Sequence, residues 1–387
     1  MIRDIAVKIL NSGYVCDSCL GRQFAKLLRG YSNQERGRII RDFLAMEYEA
    51  KKIKADPANF EKGERCVVCE DILDNLPKFA EEILKKLKKM EFETFLVGVK
   101  MSDSLVMNEE ALWEKMGMKY SEPIKSEINR ELGKMIAEGA GKTADQEKPD
   151  ILIIFDLEKR ETEIFSNSLF VYGEYKKFAR GLPQTKSPRY KQTVQDIIAK
   201  PFMKVTSASS HVLHALGREE KEARCLVWRP FILELKQPIK RKVDTERIKK
   251  EINMRKKIKV RGLRISDKKK VSLLKSKRPF KVYRVVVDFE RKVDKAENVK
   301  KLVGVIKQRT PKRTLTSKPD KTKNKKVKSI KWKMINNKRY IFEIIAESGM
   351  YLKELVSGDS GRTSPSISKV LGNQAEVREF DLIGLED

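Results

Sequence analysis

The chain has 387 residues, and 84 lysines and arginines against 55 aspartates and glutamates give it a formal net charge of +29. A length of this order suits two or three folded domains, and an apolar content of 40% excludes a wholly disordered chain. The concentrated positive charge predicts a polyanionic partner, with a basic surface that only aids solubility as the alternative.

Five cysteines occur, and four of them form two close pairs, Cys16 and Cys19 in "CDSC" and Cys66 and Cys69 in "CVVC". Two Cys-x-x-Cys pairs can place four thiolates on one tetrahedral Zn²⁺, and a site with four protein ligands is structural rather than catalytic. Thiols without metal and redox thiols are the alternatives. Cys225 stands alone and is expected to be a packing residue.

Helical spacing and a strand pattern dominate the rest of the first half. Ser32 and Glu35 form a capping-box pattern before "RGRIIRDFLAMEY". The segment "DILDNLPKFAEEILKKLKKM" has an amphipathic helical pattern, which Pro77 either starts or kinks. The strand-like "TFLVGVKM", further helical segments and the apolar "DILIIFDL" complete what reads as a small α+β domain.

The residue composition changes at the start of the second half of the chain. "GLPQTKSPRY" has the composition of a linker or an ordered surface loop, which predicts one domain over residues 1–184 and another over 185–387. The second domain also reads as α+β, with one helical pattern in "TERIKKEINMRKKI". Its strand candidates are "PFILEL", "KVYRVVVDF" and "RYIFEIIAES".

Residues 311–333 are strongly basic and predict a mobile loop or a strand pair that contacts phosphate, with Lys325, Lys326 and Lys328 as the contacts. Two other patterns are weak. "EGAGKT" lacks the first glycine of a phosphate-binding loop. His211 and His214 have the spacing of one helical face, for which packing or RNA contact is favoured over metal binding.

One segment carries a specific resemblance. "GREEKEAR", residues 217–224, followed by "RPF", resembles the catalytic motif of the archaeal and eukaryotic tRNA pseudouridine(54/55) synthase family, approximately Gly-Arg-Glu-Asp-x-Asp-Val-Arg and then Arg-Pro-Phe. Five further segments are similar to this family in order and spacing: "CDSCLGRQFAKLLRGYSNQERGR", "VYGEYKKFARGLPQTK", "RPFILELKQP", "IKQRTPKR" and "SGMYLKELVSGDSGRTSPSISKVLG".

The resemblance implies an α+β protein with a zinc-bearing, THUMP-like tRNA-binding domain followed by a pseudouridine synthase domain with a mixed, mostly antiparallel sheet. It implies isomerisation of uridine 54, uridine 55 or both in the T arm of tRNA, with structural Zn²⁺ and no organic cofactor. A cytoplasmic protein without a membrane partner is expected, because no segment has the pattern of a signal peptide or a membrane span. A monomer is the expected oligomeric state.

Site residues follow from the same resemblance. Glu222 stands at the position of the family's essential aspartate, and Lys353 matches the basic partner of that carboxylate. The resemblance implies substrate contacts by Tyr283, Tyr351, Arg218 and Arg224. These tyrosines also suit an ordinary place in a sheet.

The chain departs from the family in two ways, with Glu for Asp at 222 and "LVW" where the family has Gly-x-Gly. Three interpretations stay open: a synthase that uses Glu222, an RNA-binding paralogue without catalysis, and a synthase that uses Glu219 or Glu220. In the first interpretation, Glu219 and Glu220 are expected to form local ion pairs worth about 1 kcal/mol or less.

Overall fold

The computed structural model of the protein describes residues 2–53, 65–185 and 190–386. Its contacts divide the chain into two compact units, Met1–Asn167 and Ser168–Asp387. This division lies before the predicted boundary after residue 184, because the strand Leu169–Lys177 pairs within the sheet of the second unit. Residues 186–189 of the predicted linker lie outside the described residues.

The first unit is an α+β arrangement around one sheet. Its elements are α1 (Ile2–Leu10), α2 (Asp17–Arg22), α3 (Asn33–Ala50), α4 (Leu76–Leu87), β1 (Thr94–Lys100), α5 (Asp103–Met116), α6 (Ile124–Ala140), β2 (Thr143–Ala144), β3 (Ile151–Asp156) and β4 (Glu161–Ser166). The strand order is β2-β1-β3-β4, with β1 parallel to both of its neighbours and β3 antiparallel to β4.

Local signals set the starts of two of these helices. The Ser32 hydroxyl accepts the Glu35 N–H over 3.1 Å, and the Glu35 carboxylate accepts the Ser32 N–H over 2.7 Å, which confirms the capping box of α3. Pro77 lies in the first turn of α4, where its missing N–H costs no helical bond, so it starts the helix rather than kinking it. The apolar face of α4 packs in the core, where Phe79 contacts Phe155 of β3.

The second unit is built on a larger sheet. Its strands are β5 (Leu169–Lys177), β6 (Ser210–Ala215), β7 (Arg224–Lys236), β8 (Ile258–Ser266), β9 (Phe280–Phe289), β10 (Gly304–Arg309), β11 (Thr322–Asn336), β12 (Arg339–Ala346), β13 (Thr363–Ser364) and β14 (Ala375–Glu386). Its helices are α7 (Val194–Thr206), α8 (Thr245–Asn253), α9 (Lys268–Ser276), α10 (Leu352–Ser357) and α11 (Ile367–Leu371), with short 3₁₀ helices at Ala296–Leu302, Lys312–Thr314 and Asp359–Gly361.

Ten strands of the described chain form this sheet, in the order β13-β10-β11-β12-β9-β14-β7-β5-β8, with β6 also paired to β7. The β14–β7 pair is parallel and the other pairs are antiparallel, so the prediction of a mixed, mostly antiparallel sheet is confirmed. Val285 and Phe342 belong to one hydrophobic core on this sheet, and Phe231 and Phe202 belong to another.

Two segments differ from their predicted form, and one helix was not predicted. Much of the basic stretch 311–333 is the long strand β11, so the strand alternative holds for that part and the mobile-loop alternative is wrong there. His211 and His214 lie in strand β6 rather than on a helix. Helix α7 was not predicted, although Thr193 and Asp196 form a capping box at its start. No helix within the described ranges is long and apolar enough to cross a membrane.

Candidate functional site

The four predicted metal-binding cysteines lie together in the first unit. Their sulfur atoms all lie within 4.8 Å of one another, and all four residues are buried. Sγ of Cys16 is 3.6 Å from Sγ of Cys69, and the Cys16 N–H donates to Sγ of Cys66 over 3.3 Å. None of the four forms a disulfide.

This geometry suits a metal ion. Metal–sulfur bonds of about 2.3 Å in a tetrahedron place the sulfur atoms about 3.8 Å apart, which is close to the observed spacing. The N–H···S bond is the kind of contact that orients a thiolate ligand. The buried Arg22 guanidinium, with Nη2 3.7 Å from Sγ of Cys19, adds a positive charge beside the thiols. The cluster could therefore hold one soft metal ion.

The motif of residues 217–224 forms the loop that enters β7, and a buried arginine holds the start of this loop. Arg229 is fully buried in β7, and its Nη2 donates to the carbonyl oxygens of Leu216 (2.5 Å) and Gly217 (2.8 Å). Its Nη1 pairs with the Glu219 carboxylate. The arginine of "RPF" therefore supports the loop from inside the fold.

Two further cations hold the rest of the loop through its backbone. Nζ of the buried Lys177 donates to the carbonyl oxygens of Glu220 (3.2 Å) and Lys221 (3.3 Å). Nη1 of Arg180 donates to the carbonyl oxygen of Glu222 over 3.0 Å. These carbonyl groups accept hydrogen bonds from two side chains, one at the end of β5 and one just after it. The loop backbone is therefore held in one conformation.

Glu219 belongs to this buried support. Its side chain is 3% exposed, and its carboxylate lies between Arg229 and Nζ of Lys177, the latter at 3.4 Å. It also accepts the hydroxyl of Tyr175 over 3.0 Å. Burial by itself raises the pKa of Glu219. The positive charges of Arg229 and Lys177 lower the pKa by more than burial raises it, so the pKa lies below its ordinary value. An ion pair worth about 1 kcal/mol or less does not describe this residue, because both cations are buried with it.

Glu222, in contrast, has a side chain that is 40% exposed. Its Oε2 is 3.8 Å from Nζ of Lys353, and its Oε1 is 3.5 Å from Nζ of Lys221. Lys353 lies in the first turn of α10. The structure therefore brings the two predicted catalytic residues together as an ion pair, at a separation slightly longer than a direct hydrogen bond.

A second ion-pair network joins the motif loop to α10. Nη2 of Arg313 is 2.8 Å from Oε1 of Glu220, and Nε of Arg313 is 2.7 Å from Oε1 of Glu354. Glu220 is two residues from Glu222, and Glu354 follows Lys353 directly. Arg313 thus connects the two elements that carry the predicted catalytic pair.

Of the two predicted substrate-binding tyrosines, Tyr283 is the more buried, with 8% exposure in β9. Tyr283 belongs to the same buried cluster as Ala223 of the motif, so it lies near the motif loop. Burial raises the pKa of its phenol. Tyr351 precedes α10 and is partly buried. The Gln308 side-chain amide bonds both backbone groups of Tyr351, accepting its N–H at 2.9 Å and donating to its C=O at 3.0 Å.

The two predicted substrate-binding arginines have different surroundings. Arg224 forms a two-bond ion pair with Asp381, with Nε to Oδ1 at 2.9 Å and Nη2 to Oδ2 at 2.6 Å. This pair lies where β7 and β14 run parallel, so it stabilises the junction between those strands. Arg218 is exposed and forms no ion pair with a described residue. Substrate contact stays a prediction for both.

The lysines predicted to contact phosphate are partly occupied by carboxylates. Nζ of Lys325 is 2.6 Å from Oε1 of Glu347, and Nζ of Lys328 is 2.8 Å from Oε2 of Glu386. Because these partners reduce the charge available to an anion, two of the three lysines are weak candidates for phosphate contact.

The remaining predicted residues have ordinary structural surroundings. His214 pairs with Glu234 over 2.8 Å, and His211 contacts the side-chain amide of Gln195 at 3.1 Å. In the described ranges, the cysteines form the one group that could hold a metal ion, so packing is favoured for the histidines. Cys225 is fully buried, as expected for a packing residue, and burial raises the pKa of its thiol to about 12.

Sequence reasoning missed the cations that hold the site: Lys177, Arg180, Arg229 and Arg313. All four lie in segments that carried the family resemblance, "VYGEYKKFARGLPQTK", "RPF" and "IKQRTPKR". Nothing in the residue type separates these cations from the chain's many surface lysines and arginines. The signal that could have identified Lys177 and Arg229 is strand alternation, because each stands two residues from an apolar residue on the buried face of its strand, Tyr175 and Phe231 respectively.

Comparison with known proteins identifies the family to which the chain belongs. The family model for the C-terminal part of Pus10 matches residues 170–386, and the model for the archaeal Pus10 THUMP domain matches residues 79–156. A solved Cbf5-Nop10-Gar1 complex contains a chain with 16% sequence identity and a TM-score of 0.33, which covers 55% of this chain and 48% of its own length.

Curated relatives match over nearly the full length. The tRNA pseudouridine synthase Pus10 of Pyrococcus furiosus is 37% identical, over 100% of this chain and 98% of its own. The protein of the same name from Methanothrix thermoacetophila is 34% identical, over 98% of this chain and 93% of its own. The chain therefore belongs to the Pus10 family of pseudouridine synthases, which are isomerases, as its motifs predicted.

Proposed function

We propose that this protein converts uridine to pseudouridine in the T arm of tRNA, at position 54, position 55 or both, and that Glu222 supplies the essential carboxylate. The observation that carries the proposal is the pair formed by Glu222 of the motif loop and Lys353 of α10, with 3.8 Å between Oε2 and Nζ. The +29 net charge and the THUMP match support an RNA substrate.

The reaction rearranges bonds without a net redox change. The bond between N1 of uracil and C1′ of ribose breaks, the base turns, and a bond forms between C5 and C1′. The proton leaves C5, and N1 gains one, so the atoms balance without an organic cofactor. In this proposal Glu222 acts at the sugar as nucleophile or base. Lys353, with Nζ 3.8 Å from Oε2 of Glu222, is the cation that pairs with this carboxylate and orients it.

The longer side chain of Glu222 needs a specific geometric account. The family motif has aspartate here, and a shift of about 1 Å at a reacting centre can cost on the order of a hundredfold in rate. The backbone of the loop is held by Lys177 and Arg180, so the loop cannot simply retract to compensate. The shortened "LVW" segment that follows the motif lies in the first part of β7, and a different strand geometry there is the proposed compensation.

Aromatic and metal-binding residues complete the proposal. A uridine extruded from the folded T arm stacks on Tyr283 and contacts Tyr351, since aromatic faces hold an unstacked base. Cys16, Cys19, Cys66 and Cys69 bind Zn²⁺, which suits a soft tetrahedral ligand set. Four protein ligands leave no open position, so the zinc stabilises the first unit and takes no part in the chemistry.

The alternative is a tRNA-binding paralogue with impaired catalysis. The observation in its favour is that Glu222 is 40% exposed and shares its carboxylate between Lys353 and Lys221. A well-solvated carboxylate makes weaker electrostatic interactions than a buried one. Both alternatives predict tRNA binding, and they differ in turnover.

Tritium release from T-arm tRNA labelled at C5 of uridine separates them, because the C5 proton leaves during isomerisation and not during binding. The native protein is expected to release tritium, and Glu222→Ala is expected to abolish release while tRNA affinity stays unchanged. Glu297→Ala, which removes an exposed glutamate elsewhere in the second unit, is the matched control. Full activity of Glu222→Ala would contradict the assignment, and tRNA binding by an inactive native protein would support the paralogue.

Glu222→Asp then tests how the glutamate, which stands where the family has aspartate, affects the rate of isomerisation. If aspartate raises the rate, the native glutamate impairs catalysis. If aspartate slows a fast native protein, the loop has reset its geometry around the longer side chain.

A further inference from the structure

A small cavity in the second unit lies beside Tyr351 and is separate from the Glu222–Lys353 pair. Its volume is about 110 Å³, and it opens between residues 308–325 and residues 349–351. Four lysines line it, Lys318, Lys321, Lys323 and Lys325, and no carboxylate does. We call it the lysine cavity.

The positive charge of the lysine cavity is largely unbalanced. Lys325 is paired with Glu347, but Nζ of Lys318 contacts a neutral group, the Tyr351 hydroxyl at 3.2 Å. Lys321 and Lys323 are exposed and form no ion pair with a carboxylate of the described chain. A group of cations that repel one another without a counter-charge favours binding of an anion.

The walls of the lysine cavity are held in place. Thr310 and Lys321 are joined by two bonds, from the Thr310 N–H to the Lys321 C=O at 2.9 Å and from the Lys321 N–H to Oγ1 of Thr310 at 3.0 Å. Arg362 donates to the Thr310 C=O over 2.7 Å, and Gln308 fixes the backbone of Tyr351 on the opposite side. The lysines therefore line a cavity with defined walls rather than a free arm.

We propose that the lysine cavity binds one phosphodiester group of the RNA strand, next to the nucleotide that is isomerised. The cavity is too small for a nucleotide, and lysine ammonium groups bind phosphate as compact point charges. Tyr351 lies two residues before Lys353, so a phosphate held here sets the register of the strand at the Glu222–Lys353 pair. The identity of the anion as RNA phosphate rests on the proposed function.

Two double variants, each of which loses two positive charges, test the inference. Lys321→Gln with Lys323→Gln removes two charges from the lysine cavity. Lys331→Gln with Lys333→Gln removes two exposed charges from β11, the strand that also carries Lys323. At a rise of about 3.3 Å per residue the second pair lies roughly 30 Å from the first along the strand. All four lysines are exposed, so folding should be retained, and thermal melting checks this.

The probes are a T-arm stem-loop RNA and a series in which a single phosphodiester is replaced by an uncharged methylphosphonate. For the native protein we expect one linkage near the target uridine at which the replacement lowers affinity by about tenfold. The control variant should show the same loss at that linkage. The lysine-cavity variant should bind both RNAs equally, and its salt slope should be lower by about 0.7 to 0.9, as for one lost phosphate contact.

Each outcome has a distinct meaning. A lysine-cavity variant that keeps the native methylphosphonate response and salt slope overturns the inference. Equal loss in both variants also overturns it, because long-range electrostatics would then explain the effect. Competition by inorganic phosphate that is equal for the native protein and both variants would support a phosphodiester of the RNA strand, rather than free phosphate, as the occupant of the lysine cavity. A native protein that binds no T-arm RNA refutes the proposed function, and with it the RNA assignment.

Discussion

Replacing Glu219 by glutamine is expected to destabilise the second unit far more than an exposed ion pair would suggest. The substitution keeps the volume but removes the charge between Arg229 and Lys177, whose side chains are both fully buried. Removing one partner of a buried ion pair typically costs about 3–5 kcal/mol, because the remaining charge loses its compensation without regaining water. We expect the free energy of unfolding to fall by an amount of this order.

Urea unfolding followed by tryptophan fluorescence measures the loss, since Trp228 and Trp332 both lie in the second unit. The matched control is Glu220→Gln, which removes the same charge from the same loop. The Glu220 and Arg313 side chains are 27% and 42% exposed, so this change should cost about 1 kcal/mol or less. Equal, small losses for both variants would refute the claim that Glu219 is a buried support.

The pH dependence provides a second check on Glu219. Its pKa is lower in the folded state than in the unfolded chain, so the unfolded state takes up the proton first as the pH falls. The stability that Glu219 contributes is therefore present above its unfolded pKa and is lost as the pH falls through the folded pKa. The difference in unfolding free energy between the native protein and Glu219→Gln should shrink in acid, and a constant difference would contradict this account.

Three further predictions concern other parts of the chain. Elemental analysis should find one zinc per chain, and Cys16→Ser with Cys66→Ser should lose the metal and lower the melting temperature; unchanged melting would argue against a structural metal. Burial lowers the pKa of Lys281 to about 8, so the unfolding free energy of the native protein should rise by up to about 3 kcal/mol relative to that of Lys281→Met between pH 8 and pH 10, and parallel pH profiles would exclude this effect. Arg313→Gln should lower kcat about 10- to 100-fold with little change in tRNA affinity, because it loosens the link between the motif loop and α10; a change confined to affinity would place Arg313 in binding instead.

Much of this protein could be predicted from sequence because the relevant signals are local. The helical spacing around Pro77, the capping box of Ser32 and the apolar runs that became β9 and β12 depend on residues a few positions apart. The family resemblance also came from short ordered motifs, and the matches to Pus10 confirm it. Two Cys-x-x-Cys pairs likewise predicted the four-cysteine cluster from spacing alone.

The tertiary structure alone distinguished the three glutamates of "GREEKEAR". In sequence they are equivalent carboxylates in one charged run, but the fold buries Glu219 against Arg229 and Lys177, pairs Glu220 with Arg313 and leaves Glu222 beside Lys353. The partner cations lie in separate segments of the chain, on β5, on β7, after β10 and in α10. Local periodicity does not encode which of these segments become neighbours, because that depends on strand pairing across the whole sheet. The chemistry available to each carboxylate depends on the burial and charge that this pairing creates.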